Sequence, residues 1–337
     1  MTLKKCAALK DRLKKIDPYI NKEGVTEIAI NRPGEIWIQK HNEWFKEDDH
    51  KIDYDYSSVL VTQIASYNGS NIENNSPMLS SILPNGERVE AVMPPACEPE
   101  TISITIRKPS QFVKTLEEYR NEGFFSKGTE TKDKQKKLDD YLLEVKDTDR
   151  YNFLKLAVRH GKTIAVIGET GSGKTTLGKA LINEIDSSLR VITIEDVREL
   201  ITPNHPNRVH LLYPNACKPD DPVTPTKLLK SCLRMNPDRI FLAEVRGGEA
   251  FDFINTVNSG HAGSITSFHA NSAENAFERL ALMCLQNPMA RGLPWGEMMK
   301  LIKQAIDVII HVDNDIHSES PIGRHITEIY YNPKVSN

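Results

Sequence analysis

The spacing of hydrophobic positions changes along the chain. Leu3, Leu9, Leu13 and Ile16 recur at helical intervals and predict a helix over Leu3–Ile16. Val25-Thr-Glu-Ile-Ala-Ile30 alternates as a strand does, Arg32-Pro-Gly34 supplies a turn, and Glu35-Ile-Trp-Ile38 alternates again, which predicts a hairpin. Tyr56–Tyr67 reads as a helix. Arg88–Met93 and Thr101–Ile106 read as strands around a loop holding Pro94, Pro95 and Pro99, and Pro109–Asn121 as a short closing helix. Residues 1–124 are therefore expected to form a mixed α/β unit. The next stretch, 125–150, loses the pattern: Ser126–Lys137 is almost all charged or small, the mark of a solvated linker, with a short helix expected at Leu138–Val145.

From 151 to 337 short apolar runs alternate with amphipathic ones. Strands are predicted at Thr163–Ile167, Arg190–Glu195, Val209–Tyr213, Ile240–Ala243, Ser264–Phe268, Asp307–Val312 and His325–Tyr331. Helices are predicted at Lys174–Ile185, Thr226–Met235, Glu249–Ser259, Ala273–Gln286 and Trp295–Ala305. Continuous apolar strands between such helices imply a mostly parallel sheet covered on both faces.

Composition narrows the classes. The 337 residues suit about two domains at roughly 150 residues each. Lys and Arg total 43 against 46 Asp and Glu, a net charge of −3, which argues against a chain that coats nucleic acid. Cys6, Cys97, Cys217, Cys232 and Cys284 form no Cys-x-x-Cys pair, so neither a zinc ribbon nor a redox motif is written here, and a reducing cytoplasm is expected. The Lys-rich start has no apolar signal core. No apolar run reaches the about 18 residues a membrane span needs. Any work at a membrane is expected from its surface.

The strongest chemical signal is Gly168-Glu169-Thr170-Gly171-Ser172-Gly173-Lys174-Thr175-Thr176. It matches G-x-x-x-x-G-K-[ST] and lies between a predicted strand and a predicted helix. Glycines let the backbone curl so that its N–H groups point at phosphate oxygens, and the helix start adds a favourable dipole. Lys174 supplies a charge for the β and γ phosphates, and the Thr175 hydroxyl is a ligand for Mg²⁺. ATP and Mg²⁺ are thus the expected cofactors. Hydrolysis also needs acids, and two predicted strands end in them. Glu244 is assigned to Mg²⁺ and Glu195 to orienting or deprotonating the attacking water, although the sequence leaves these roles exchangeable. His269, at another strand end, is placed near the γ-phosphate, while His261 is read as holding its loop.

Further runs give these motifs an order: Thr193-Ile-Glu-Asp196, Ser231-Cys-Leu-Arg-Met-Asn-Pro-Asp-Arg239, Ala243-Glu-Val-Arg-Gly247 and Gly260-His-Ala-Gly-Ser-Ile-Thr-Ser-Phe-His-Ala-Asn271. With the phosphate loop they resemble the Walker A, Asp box, Walker B and His box of the traffic ATPases of bacterial type IV secretion systems, within the secretion-ATPase superfamily. The resemblance implies a RecA-like P-loop ATPase domain over 151–337 and a smaller PAS-like α/β domain over 1–124. It implies a homohexamer peripheral to the cytoplasmic face of the inner membrane, partnered by other inner-membrane and ATPase subunits; the near-neutral charge separately suggests that a cargo, DNA or protein, is handled indirectly. The segments around Arg88 and Arg107 resemble those facing the nucleotide from the N-terminal domain, so both arginines are expected on the phosphates. Walker B carries a single acid here, which supports a role for Glu195. A tetracysteine insert is absent, which tilts the reading from the type II secretion and type IV pilus motors towards the type IV secretion branch.

Overall fold

The computed structural model describes residues 3–109, 114–126, 129–315 and 317–333. Part of the expected helix Pro109–Asn121 and of the expected linker lies outside them.

The first sheet is antiparallel throughout. Its strands are β1 (Val25–Ile30), β2 (Glu35–Lys40), β3 (Glu43–Asp48), β4 (Met78–Ile82), β5 (Arg88–Val92) and β6 (Ser103–Arg107), in the order β3-β2-β1-β6-β5-β4. Helices α1 (Leu3–Leu13), α2 (Asp17–Ile20) and α3 (Tyr54–Tyr67) contribute to its core. The start of α3 is fixed by the Asp53 carboxylate, which accepts from the Tyr56 N–H. Alternation along β1 divides its side chains between two faces: Ile28 and Ile30 join Leu9, Leu60, Ile64 and Ile104 in this core. Glu27 and Thr105 are instead buried where the sheet meets the rest of the chain.

The second sheet holds β7 (Ile164–Ile167), β8 (Val191–Glu195), β9 (Arg208–Leu212), β10 (Arg239–Leu242), β11 (Ile265–Phe268), β12 (Val308–Asn314) and β13 (Arg324–Tyr331). Their order is β13-β12-β7-β11-β10-β8-β9, parallel except for β13 against β12. Each strand from β7 to β12 is expected from the sequence, within a residue or two at its ends. The continuous apolar runs have a direct reason: in β7, Ile164 and Val166 enter one core while Ala165 and Ile167 enter another, so both faces are dry. Around this sheet stand α6 (Arg150–Arg159), α7 (Lys174–Ile182), α8 (Pro225–Cys232), α9 (Glu249–Asn258), α10 (Ala273–Cys284) and α11 (Trp295–Ala305). The α/β class, with a mostly parallel sheet and a smaller α/β unit, is the one expected.

Several details differ from expectation, among them helices α2 and α6, which the sequence pattern does not predict. Strands β3 and β4 carry little apolar alternation because they are sheet edges. The charged connection is not irregular: beyond the short helix α4 (Leu116–Asn121), a 20-residue helix α5 spans Thr129–Thr148. It has neither Gly nor Pro and is rich in Lys and Asp. Its second half is pinned by tertiary contacts. Leu142 and Val145 are buried, and the Asp139 carboxylate accepts from Gln135 at 2.9 Å, from the Tyr331 hydroxyl at 2.7 Å and from Lys162.

Polar groups join the two sheets. Arg190, fully buried, donates from Nη1 to Asn31 Oδ1 at 2.8 Å and Asn207 Oδ1 at 2.6 Å, and from Nε to the Met235 carbonyl at 2.9 Å. Its guanidinium lies 5.3 Å from the Trp44 ring centre. Asn236 donates to Glu27 Oε2 at 3.0 Å, and the Leu212 N–H donates to the Ala96 carbonyl at 2.9 Å.

Candidate active site

The phosphate loop runs from the end of β7 to the start of α7, at the carboxyl edge of the parallel sheet, where open α/β sheets bind ligands. Gly168 is dictated by sterics. Its φ is +146°, and a Cβ there would stand 2.2 Å from the Val312 carbonyl oxygen and 2.8 Å from Ser172 Oγ. Gly173, at φ +101°, caps α7 in the left-handed region. Lys174 folds back over this loop, donating to the carbonyls of Gly168 at 2.9 Å and Glu169 at 2.7 Å. Partial burial strips water from its ammonium and holds its pKa below the ordinary lysine value, against the opposing pull of Glu244 and Glu169.

The loop opens on a cleft of about 410 Å³. Glu169 and Ser172 belong to the loop, while Thr170, Gly171, Gly173, Lys174, Thr175 and Thr176 also line the cleft. Facing them are Glu195, Asp196, Glu244, Arg246, His269 and Arg324. Glu244 is the hub. Its Oε1 lies 3.0 Å from His269 Nε2, and its Oε2 accepts from Arg246 Nη2 at 2.6 Å and Nε at 2.9 Å. Arg246 Nη1 donates onward to Asp196 Oδ2 at 2.8 Å and Asn215 Oδ1 at 2.7 Å. Partial burial works against the Arg246 charge, but the bonds and charge of Glu244 and Asp196 outweigh it and hold its pKa above the ordinary arginine value.

The structure thus brings Lys174, Thr175, Glu244 and His269 together as expected from the sequence. Glu195 is also on the cleft wall, but the expectation that it deprotonates water meets a carboxylate already occupied. Its Oε1 accepts from the Thr193 hydroxyl at 2.7 Å, and its Oε2 accepts from the N–H groups of Glu199 at 3.0 Å and Leu200 at 2.8 Å. The residue is 1% exposed. Glu195 folds the chain after β8 rather than offering an oxygen to water, and Glu244 is the strand-end acid turned to the cleft.

Arg88 and Arg107 are elsewhere in this chain. They are register partners on β5 and β6, and they line a separate cleft of about 560 Å³ with Glu27, Arg234, Asn236 and His261. Asn236 and His261 precede β10 and β11, so this second cleft lies at the amino edge of the parallel sheet. The two edges are at least a strand apart, about 13 Å for four residues. His261 does hold its loop, with Nδ1 3.2 Å from the Pro237 carbonyl.

Sequence reasoning gave no role to Asp196, Asn215, Arg246 or Arg324. Arg246 carried a usable signal: it lies two positions after Glu244 beyond an exposed strand end, so the two side chains share a side. Arg324 carried none, because only the antiparallel return of β13 along β12 delivers it to the loop. A magnesium ion fits the residues present: the Thr175 hydroxyl and the Glu244 carboxylate are oxygen donors on the cleft wall beside the phosphate loop. Among the described residues no cluster of three metal-ligating side chains occurs, so water and phosphate oxygens would complete the coordination.

Comparison with known proteins agrees with this geometry. Residues 10–314 match the family described as Type II/IV secretion system protein. The type IV secretion system protein VirB11 of Brucella suis is 47% identical over 334 residues, 98% of this chain and 92% of that protein. PtlH of Bordetella pertussis is 39% identical over 327 residues, 96% of this chain and 95% of that one. The crystal structure of the Brucella suis VirB11 ATPase in complex with sulphate superposes with a TM-score of 0.91 at 47% identity, covering 99% of this chain and 97% of that chain. With these matches, with a glycine-rich loop under Lys174 and with Glu244 facing it, the chain belongs to the Type II/IV secretion system protein family, as one of its P-loop ATPases.

Proposed function

We propose that this chain hydrolyses ATP with Mg²⁺ as one subunit of a homohexameric ring, and that the energy drives substrate transfer and pilus assembly in a type IV secretion system. The ring sits against the cytoplasmic face of a bacterial inner membrane, held by other inner-membrane and ATPase subunits. Two features support a peripheral, indirect mode of work: among the described residues no helix is long and apolar enough to cross a membrane, and the net charge of −3 gives no general attraction for a DNA cargo. The active unit is the domain 151–337, and 1–124 is a second domain coupled to it through α5.

In this reading the loop N–H groups and Lys174 bind the β and γ phosphates. Thr175 and Glu244 would hold Mg²⁺, which neutralises phosphate charge when bound. His269, 3.0 Å from Glu244, orients that carboxylate and faces the γ-phosphate. Arg88 and Arg107 meet the phosphates of a neighbouring subunit rather than their own, where arginine charge is most useful as the phosphoryl group transfers.

The observation that carries this reading is the division of the chemistry between opposite edges of one sheet: the phosphate loop at one, the arginine pair at the other. Subunit mixing tests it. Lys174→Ala and Arg107→Ala are each expected to lower ATP turnover by more than tenfold alone. Their mixture should regain turnover, because a Lys174→Ala subunit can lend its intact Arg107 to a neighbour. Turnover retained in Lys174→Ala overturns the ATPase site itself. An Arg107→Ala ring with wild-type kcat overturns the arginine role, and a mixture no more active than its parts overturns the sharing between subunits.

A further inference from the structure

Three cations line the phosphate-loop cleft, and they differ in what already holds them. Lys174 is tied to two loop carbonyls. Arg246 is paired with Glu244 and Asp196. The guanidinium of Arg324, among the described residues, makes neither a hydrogen bond nor an ion pair.

The absence of a partner is not looseness of the chain. Arg324 opens β13 and faces Asn314 across the ladder. Its carbonyl accepts from Ser320 Oγ at 2.8 Å, and the preceding turn is made by Gly323 at φ +71°. From this fixed start the side chain runs over the phosphate loop: a Cβ on Gly173 would stand 3.1 Å from Arg324 Cδ and 3.7 Å from Nε. Gly173 is the last residue before α7, whose first N–H groups and dipole attract an anion. An unpaired guanidinium has therefore been delivered, by a hairpin about 150 residues downstream, to the point in the cleft that most favours negative charge. Nothing in the fold of the hairpin requires a cation there.

We propose that Arg324 is a nucleotide-binding residue acting within its own subunit, with its guanidinium donating to the diphosphate of a bound nucleoside di- or triphosphate. The planar fork of arginine suits paired donation to phosphate oxygens in a way that a lysine does not. A side chain at Gly173 would also crowd the Arg324 stem, which would have to give by a few tenths of an ångström. This inference rests on the reading of the cleft as the nucleotide site, and it adds a residue outside the P-loop motif.

Calorimetric titration of the full chain with ADP and with inorganic pyrophosphate tests it without turnover. Arg324→Ala is expected to weaken both ligands by about tenfold or more, the loss of charge-assisted hydrogen bonds, and Arg324→Lys to recover only part of that. Arg324→Gln keeps the stem over Gly173 and serves if the alanine variant is poorly folded; it too should weaken both ligands. Lys174→Ala separates the two levels of the claim. If Lys174→Ala loses binding while Arg324→Ala and Arg324→Gln match wild type, this inference is overturned and the cleft reading stands. Loss of ADP affinity with pyrophosphate unchanged also overturns it, by moving the contact to the nucleoside. If Lys174→Ala binds ADP as wild type does, the cleft reading falls and takes this inference with it.

Discussion

Glu27 offers a prediction that can be worked through from the structure. It lies on β1 at the junction of the two sheets, 2% exposed. One carboxylate oxygen, Oε2, accepts from Asn236 at 3.0 Å, while the buried Oε1 has no hydrogen-bond partner among the described residues. Burial raises its pKa from the ordinary 4.5 to about 7, although Arg190, Arg107 and the Asn236 bond oppose the rise. The folded protein therefore binds a proton that the unfolded chain releases between about pH 4.5 and 7. Stability then falls as pH rises through that window, because the native state holds more protons than the unfolded one. The full effect is roughly 3 kcal/mol at about 1.4 kcal/mol per pH unit. Glu27→Gln mimics the protonated side chain and keeps an acceptor for Asn236. Its advantage over wild type should be near zero at pH 4.5 and grow to roughly 3 kcal/mol by pH 7.5. Urea unfolding of both proteins at several pH values reads this difference directly. The comparison also cancels Glu90, another buried carboxyl with a pKa raised by burial. Parallel curves for the two proteins across the window would refute the argument.

Two further substitutions test particular atoms of the site. Gly168→Ala places a methyl 2.2 Å from the Val312 carbonyl at φ +146°, so the loop or β12 must move. We expect a stability loss of about 1–3 kcal/mol together with loss of ADP binding, and a variant that binds ADP normally would show that the loop tolerates what its geometry forbids. Glu195→Gln sets an NH₂ group against either the Thr193 hydroxyl or the N–H groups of Glu199 and Leu200, because only one of its two positions remains an acceptor. It should lower stability by about 1–3 kcal/mol and leave the shape of the pH–rate profile unchanged, whereas loss of that profile's limb would return Glu195 to the role of base.

Legibility in the sequence followed how far each feature depends on its neighbours in the chain. The phosphate loop was legible because its glycines, Lys174 and Thr175 are all required within nine residues. Strands of the parallel sheet were legible because burial on both faces makes every residue of β7 apolar. Edge strands β3 and β4 were not, since an edge needs neither alternation nor a continuous apolar run. Helix α5 was half legible. Its apolar end announced itself, but the anchor of Asp139 on Lys162 and Tyr331 spans 23 and 192 residues. Glu195 and Glu244 look alike in sequence, each ending an apolar strand. What separates them is the backbone of 199–200, which folds back to cap Glu195 and leaves Glu244 to His269 and Arg246.

The arrangement of Arg88 and Arg107 bears on how the motor would work. For these arginines to reach the phosphate loop of their own chain, the N-terminal sheet would have to leave the amino edge of the parallel sheet and travel to its carboxyl edge. That move would strip Arg190 of Asn31 and Thr105, separate Glu27 from Asn236, and leave buried charge and buried amides without partners. Each orphaned group costs about 1–3 kcal/mol, more where it is charged. A head-to-tail contact avoids that cost. It sets the arginine edge of one subunit against the phosphate-loop edge of the next, and repeated with a closing rotation it makes a ring. In the proposed ring each site would be finished by a neighbour, so nucleotide binding in one subunit would pull on the two-sheet body of another. In such a ring the buried network around Arg190 would tie the two sheets together, so that a phosphate contact at one edge would become a displacement at the other.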